Sequence, residues 1–125
     1  MKEKNLLINP SWEYVTEEGK RYNRVWPPLD LLYIATALNA KGIQSEILDL
    51  NAEKVKIHNL EKIAQKFDKI FITTSSLDRW QCTNLKIDNV EFIINKLQNK
   101  KIIILGYHGT VFPEHFLKHI NVEVV

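Results

Sequence analysis

The feature that most constrains the fold is a regular alternation of short apolar runs with segments whose apolar residues repeat at helical spacing. Runs of this kind are typical of strands buried on both faces of a parallel sheet. The five runs are Asn5 to Asn9, Ile43 to Leu50, Lys69 to Thr73, Ile102 to Leu105 and Asn121 to Val125. They predict an α/β fold, a Rossmann-like three-layer sandwich with helices on both faces of a five-stranded parallel sheet. We expect the strand order 2-1-3-4-5.

The segments between the strands carry helix signals. Pro27 and Pro28 precede the first helix and Gly42 ends it, while Asp88 and Glu91 have the spacing of a capping box for the third. Pro113 and Glu114 begin the fourth. The apolar residues expected on these four helices are, in order, Leu31, Ile34, Ala35 and Leu38; Leu60, Ile63, Ala64 and Phe67; Val90, Ile93, Ile94 and Leu97; and Phe116, Leu117 and Ile120.

Length and composition favour a single domain over residues 1–125. Lys and Arg number 17 against 15 Asp and Glu and are scattered, so no nucleic-acid footprint stands out. No apolar run reaches the length of a membrane span. The single cysteine, Cys82, excludes an internal disulfide and is typical of a reducing compartment, so we expect a cytoplasmic protein.

The loops after the first, third and fourth strands are expected to converge on one crevice at the carboxyl edge of the sheet, where such folds bind ligands. The first loop, Ser11 to Trp26, is long and carries four aromatic residues. It is either a surface flap whose aromatic side chains pack on their own domain or a segment that covers a ligand or faces a partner. The third loop is rich in hydroxyls, and the fourth is predicted to be a polar turn from Gly106 to Thr110.

Three stretches together resemble the N-terminal cobalamin-binding domain of cobalamin-dependent radical S-adenosylmethionine enzymes, a group of methyltransferases and cyclases. They are Leu6 to Pro10; Pro27 to Ala35, followed by Gly42 and Asp49; and Gly106 to Thr110, followed by Pro113 and Glu114. The resemblance spans nearly the whole chain and implies that cobalamin is the ligand.

The resemblance also implies which residues contact the cofactor. Asn9 and Pro10 border the corrin, and Ser75, Ser76 and Leu77, with Thr74 before them, line the slot for the nucleotide tail. The segment Gly106, Tyr107, His108, Gly109 and Thr110 lies close under the ring, where glycines permit backbone approach.

One departure from cobalamin domains in general concerns the cobalt ligand. Those domains carry Asp-x-His-x-x-Gly after the first strand, whereas this chain has no histidine between Asn5 and Gly42. The radical enzymes that it resembles often lack this histidine as well. We therefore expect cobalamin to be bound with its base displaced and no protein imidazole on cobalt; His108 lies on a different loop and is expected to form local hydrogen bonds.

The resemblance further implies a catalytic domain that this chain does not contain. A radical S-adenosylmethionine core uses Cys-x-x-x-Cys-x-x-Cys to hold a four-iron four-sulfur cluster, and a single cysteine cannot do so. We expect the chain to be the N-terminal fragment of a longer enzyme, with S-adenosylmethionine and the cluster in the downstream domain and no catalysis by this chain alone.

The alternative function is a flavodoxin-like module that binds flavin mononucleotide or serves only in protein interaction. Flavin phosphate sites favour a short Ser/Thr/Gly-rich turn, which Ser11 to Trp26 does not provide. Asp49 suits a ribose hydroxyl, but no Gly-x-Gly-x-x-Gly motif accompanies it. Cys82 is expected to be inert, and the remaining polar residues of note are expected at the surface: His58, His115 and His119, and the charged face Lys86, Glu91, Lys96 and Lys100.

Overall fold

The computed structural model describes residues 2–10, 14–15, 21–22, 27–53, 55, 57–74 and 87–125. Within them the strands are β1 (Lys4–Asn9), β2 (Tyr14–Val15), β3 (Arg21–Tyr22), β4 (Gln44–Asp49), β5 (Lys69–Thr73), β6 (Lys101–Leu105) and β7 (Val122–Val124). The helices are α1 (Leu29–Ala40), α2 (Leu50–Glu53), α3 (Ile57–Ala64), α4 (Asp88–Lys96), α5 (Tyr107–Val111) and α6 (Pro113–Leu117).

Five of the strands form one parallel sheet with the order β4-β1-β5-β6-β7. Counted along the chain within this sheet, the order is 2-1-3-4-5, so the predicted topology is confirmed. The short strands β2 and β3 pair antiparallel in a separate two-stranded sheet. They lie within the long loop that follows β1.

Helices cover both faces of the parallel sheet, as predicted. Successive residues of a strand point to opposite faces, and β1 shows this division directly. Leu6 and Ile8 belong to the larger apolar cluster, which includes residues of α3, α4 and α6. Leu7 belongs to a second cluster with Leu31 and Ala35 of α1. The two clusters are the two layers of core on either side of the sheet.

The amino-terminal half of the chain follows the predicted elements closely, with ends shifted by a few residues. Leu50 begins α2 rather than ending β4, and Phe67 lies in the turn after α3. Gly42 follows α1 with φ of +76°, a conformation that favours glycine because side chains crowd the backbone there. The predicted role of Gly42 in ending α1 is confirmed.

Three local predictions in the carboxyl-terminal half are wrong. The segment Gly106 to Thr110 is not a polar turn, because Tyr107–Val111 forms the short helix α5. Helix α6 ends at Leu117, so Ile120 lies beyond it and is fully exposed. The capping box is also wrong, since α4 begins at Asp88 itself and its N-cap residue, Ile87, makes no side-chain cap hydrogen bond.

None of the helices among the described residues is both long and apolar enough to cross a lipid bilayer.

Candidate functional site

The candidate site lies at the carboxyl ends of β4, β1 and β5, next to one another in the sheet. From β1 the chain passes through α1 to β4 on one side, while β5 and the strands after it are added on the other. The connections therefore leave adjacent strand ends in opposite directions and open a crevice between them. This switch point is where sheets of this order bind ligands.

Polar residues occupy all three strand ends on one face of the sheet. Asn9 pairs in register with Asp49, and Thr73 ends β5 on the same face. That face is the one covered by α1, whose first turn supplies Asp30. Asn9 and Thr73 have 1% and 0% of their surface exposed, so these are core positions occupied by hydrogen-bonding groups.

Hydrogen bonds link the four residues in two pairs. The Asn9 Nδ2 group donates to Asp49 Oδ1 over 3.0 Å, and the backbone N–H of Ala52 donates to the same oxygen over 3.2 Å. The Thr73 hydroxyl donates to Asp30 Oδ2. Because a carboxylate only accepts, the bond to Asp49 fixes which end of the Asn9 amide is the nitrogen. The amide oxygen must then point away from Asp49.

That amide oxygen has no partner. It is buried, and no donor in the described part of the chain forms a hydrogen bond with Asn9 Oδ1. Leaving a buried acceptor unsatisfied costs about 1 to 3 kcal/mol. Such groups are uncommon in folded proteins and indicate a place where water, an ion or a ligand completes the bonding.

Thr74 continues the polar series but is used inside the protein. Both its backbone N–H and its hydroxyl donate to the carbonyl oxygen of Leu105, over 2.8 Å and 3.0 Å. The side chain is fully buried. These two bonds tie the end of β5 to the end of β6, so Thr74 positions the edge of the crevice.

The glycines after β6 have structural explanations within the protein. Gly106 has φ of +103° and ψ of −178°, a region that is almost restricted to glycine. A Cβ on Gly109 would lie 3.0 Å from Val124 Cγ1 and 3.1 Å from Ile104 Cγ2, so its small size lets α5 pack on the sheet. The expectation that these glycines serve approach to a corrin stays a prediction, and packing already accounts for Gly109.

His108 lines a cavity of about 440 Å³ together with Ile87, Phe112, Glu114, His115 and Phe116. None of these residues belongs to the group around Asn9. The Tyr107 and His108 rings meet edge to face, with centroids 6.4 Å apart. The structure therefore places His108 in a cavity between α4 and the α5–α6 segment.

The structure describes only some of the other predicted site residues. Pro10 is buried directly after β1. The predictions for Ser75, Ser76 and Leu77, and the side chains of the loop Ser11 to Trp26, lie outside the described residues. Asp30 and Thr73 were missed as site residues, although an acid at the start of the first helix and a threonine at the end of a strand are visible in the sequence.

A second polar cluster joins α4 to the segment from α6 onward. The Glu91 carboxylate lies 2.7 Å from His115 Nε2, 2.9 Å from His119 Nε2 and 3.7 Å from Lys118 Nζ. The His119 contact is aligned as a hydrogen bond, whereas the closer His115 contact is not. Glu91 and His119 are each about one-fifth exposed, so the prediction of a surface position is wrong for these two residues. The side chains of His115 and Lys96 are each about two-fifths exposed, as predicted.

Among the described residues, no three or more His, Cys, Asp or Glu side chains form a group able to hold a metal ion.

Comparison with known proteins adds no relative: no family model, no curated protein and no solved structure matches this chain.

Proposed function

We propose that this chain is a cobalamin-binding module that serves a radical S-adenosylmethionine methyltransferase or cyclase. The cofactor occupies the crevice at the carboxyl edge of the sheet, and the chain itself performs no catalysis. A separate catalytic domain holds S-adenosylmethionine and the four-iron four-sulfur cluster, because one cysteine cannot ligate that cluster. The single cysteine also fits a reducing compartment such as the cytoplasm.

One observation carries the proposal: two of the stretches that resemble cobalamin domains lie at the same edge of the sheet. Asn9 ends β1 and Pro10 follows it, and Gly106 to Thr110 follow β6. Only β5 separates these strands, so their ends are about 10 Å apart at the usual strand spacing. A flat macrocycle of corrin size spans such a distance. The polar residues at the ends of β4, β1 and β5 supply hydrogen bonds to its rim.

The placement of His108 supports binding with the cofactor's base displaced and no protein histidine on cobalt. The chain has no histidine between Asn5 and Gly42. His108 lines the cavity beside Phe112 and Phe116 rather than joining the Asn9 group. Shape and hydrogen bonds are then the means by which the protein holds the cofactor.

The proposal is tested by equilibrium dialysis of the purified chain against hydroxocobalamin and, separately, against flavin mononucleotide. We expect retention of hydroxocobalamin only. Retention of flavin mononucleotide alone would favour the flavodoxin-like alternative, and retention of neither would favour a module for protein interaction.

The same sample tests the cobalt ligand. After reduction to cobalt(II), electron paramagnetic resonance is expected to show no superhyperfine splitting from a protein nitrogen. A splitting that disappears in His108→Ala would contradict the proposed binding without histidine, while leaving cobalamin binding itself intact.

A further inference from the structure

Two asparagines of β1 form a natural comparison. Asn5 and Asn9 are each 1% exposed, point to the same face of the sheet and have a buried Oδ1 that accepts no hydrogen bond from the described residues. They differ in position, because Asn5 lies near the amino end of β1 and Asn9 at its carboxyl end. Only Asn9 therefore borders the crevice at the switch point.

The groups around Asn9 are themselves acceptors. Asp49 Oδ1 already receives two hydrogen bonds, from Asn9 Nδ2 and from the N–H of Ala52. The Thr73 hydroxyl directs its proton to Asp30. The group thus contains a buried amide oxygen that has no donor among the described residues, and the chemical group that complements it carries an N–H or O–H.

The same position disfavours an anion. A phosphate or carboxylate that is fully ionised has no donor for Asn9 Oδ1, and the carboxylate of Asp49 is bonded to the other end of the same amide. Neighbouring like charges repel more strongly in a partly desolvated site than they do in water. The position therefore discriminates between neutral donor groups and anionic ones.

We propose that Asn9 Oδ1 accepts a hydrogen bond from a neutral N–H or O–H group of the ligand and that this bond selects against anionic groups at the same place. The inference rests on the proposed function, which supplies the ligand. In cobalamin the complementary group is one of the primary carboxamides on the rim of the corrin. Asn9 is thus a specificity determinant, positioned by its bond to Asp49.

The test compares the full chain with two matched variants, Asn9→Leu and Asn5→Leu. Each variant replaces a buried amide with an apolar side chain of similar size, at opposite ends of the same strand. Removing an unsatisfied buried acceptor is close to neutral for folding, but Asn9→Leu also removes the hydrogen bond to Asp49. We therefore expect a thermal unfolding midpoint near that of the unmodified chain for Asn5→Leu and a modestly lower one for Asn9→Leu, and binding is measured well below both midpoints. For hydroxocobalamin we expect Asn9→Leu to weaken binding roughly tenfold, or about 1.4 kcal/mol, and Asn5→Leu to leave it unchanged.

A second experiment starts from the unmodified chain, so its main result does not depend on the folding of a variant. Monocarboxylic derivatives of cobalamin, in which one rim carboxamide is hydrolysed, are titrated against the unmodified chain. At least one derivative is expected to bind roughly tenfold more weakly than hydroxocobalamin, and that difference is expected to shrink in Asn9→Leu.

The outcomes separate the two proposals. If the unmodified chain retains no hydroxocobalamin, the proposed function is overturned and this inference with it. If cobalamin is retained but Asn9→Leu binds it as tightly as Asn5→Leu does, or every monocarboxylic derivative binds as tightly as cobalamin, the inference alone is overturned. Retention of Mg²⁺ that depends on Asn9 would also overturn it, because a cation would then be the group that satisfies Oδ1.

Discussion

The cluster around Asn9 and the cluster around Glu91 use similar polar groups in different ways. At Glu91 one carboxylate is surrounded by two imidazoles and the Lys118 ammonium group, and its Oε2 forms a hydrogen bond with His119, whereas Oε1 and His115 Nε2 lie close together without an aligned hydrogen bond. At Asn9 an amide bonds to the Asp49 carboxylate through its nitrogen, and its oxygen has no donor among the described residues. The first arrangement joins two elements of the fold, whereas the second leaves an acceptor that we propose a ligand satisfies.

The largest expected effect comes from the cluster around Glu91. Glu91→Ala removes the hydrogen-bond partner of His119 and the carboxylate that lies against His115 and Lys118, so the contacts between α4 and the α6 segment are lost. We expect the free energy of unfolding to fall by about 2 to 3 kcal/mol, measured by urea denaturation.

The control for this change is Glu61→Ala. Glu61 forms a long, exposed contact of 4.0 Å with Lys96, and exposed pairs of this kind contribute less than about 0.5 kcal/mol. Equal losses in the two variants would show that Glu91 acts as an ordinary surface charge and would remove the contrast between the two clusters.

A smaller effect is expected at the carboxyl edge of the sheet, from Gly106→Ala. Its combination of φ and ψ is almost restricted to glycine, so alanine is expected to cost about 1 to 2 kcal/mol of stability. The matched change Gly42→Ala, at φ of +76° with no atom within 4 Å of the added Cβ, is expected to cost about 1 kcal/mol.

Chemical denaturation of both glycine variants measures whether Gly106→Ala loses more stability than Gly42→Ala. A Gly106→Ala protein as stable as the unmodified chain would mean that the backbone after β6 adapts readily, and the carboxyl edge would then be less rigid than the proposed binding site requires. Asn9→Leu is expected to give the smallest effect of the series, a loss of about 0.5 to 1 kcal/mol, because it removes the bond to Asp49 together with an unsatisfied acceptor.

The sheet could be predicted from the sequence because its signals are local and repeated. The five apolar runs and the helical spacing between them define the element order, and the preference for right-handed crossovers then selects the topology. The pair Asn9 and Asp49 is different, since their contact depends on the register of two strands forty residues apart. The sequence indicated Asn9 and Asp49 separately, and no pattern in it indicated the hydrogen bond between them.

The wrong predictions for the segment after residue 87 also come from contacts between residues that are far apart in the sequence. Two glycines in five residues argue against a helix by propensity, but Gly109 packs against Ile104 and Val124, and this tertiary contact stabilises α5. Asp88 and Glu91 match a capping box by spacing alone. The Glu91 carboxylate instead binds histidines that are more than twenty residues away in sequence, and no local pattern reveals such a contact.

We propose that the carboxyl edge of the sheet, and not the Glu91 region, receives the ligand. The most direct measurement is a titration of the ¹⁵N-labelled chain with diamagnetic hydroxocobalamin, followed by amide chemical shifts. We predict that the largest shifts fall at Asn9, Asp49, Thr73 and Gly106, including the side-chain amide of Asn9. Shifts concentrated at Glu91, His115 and the cavity beside Phe112, with those of Asn9 unchanged, would contradict the account.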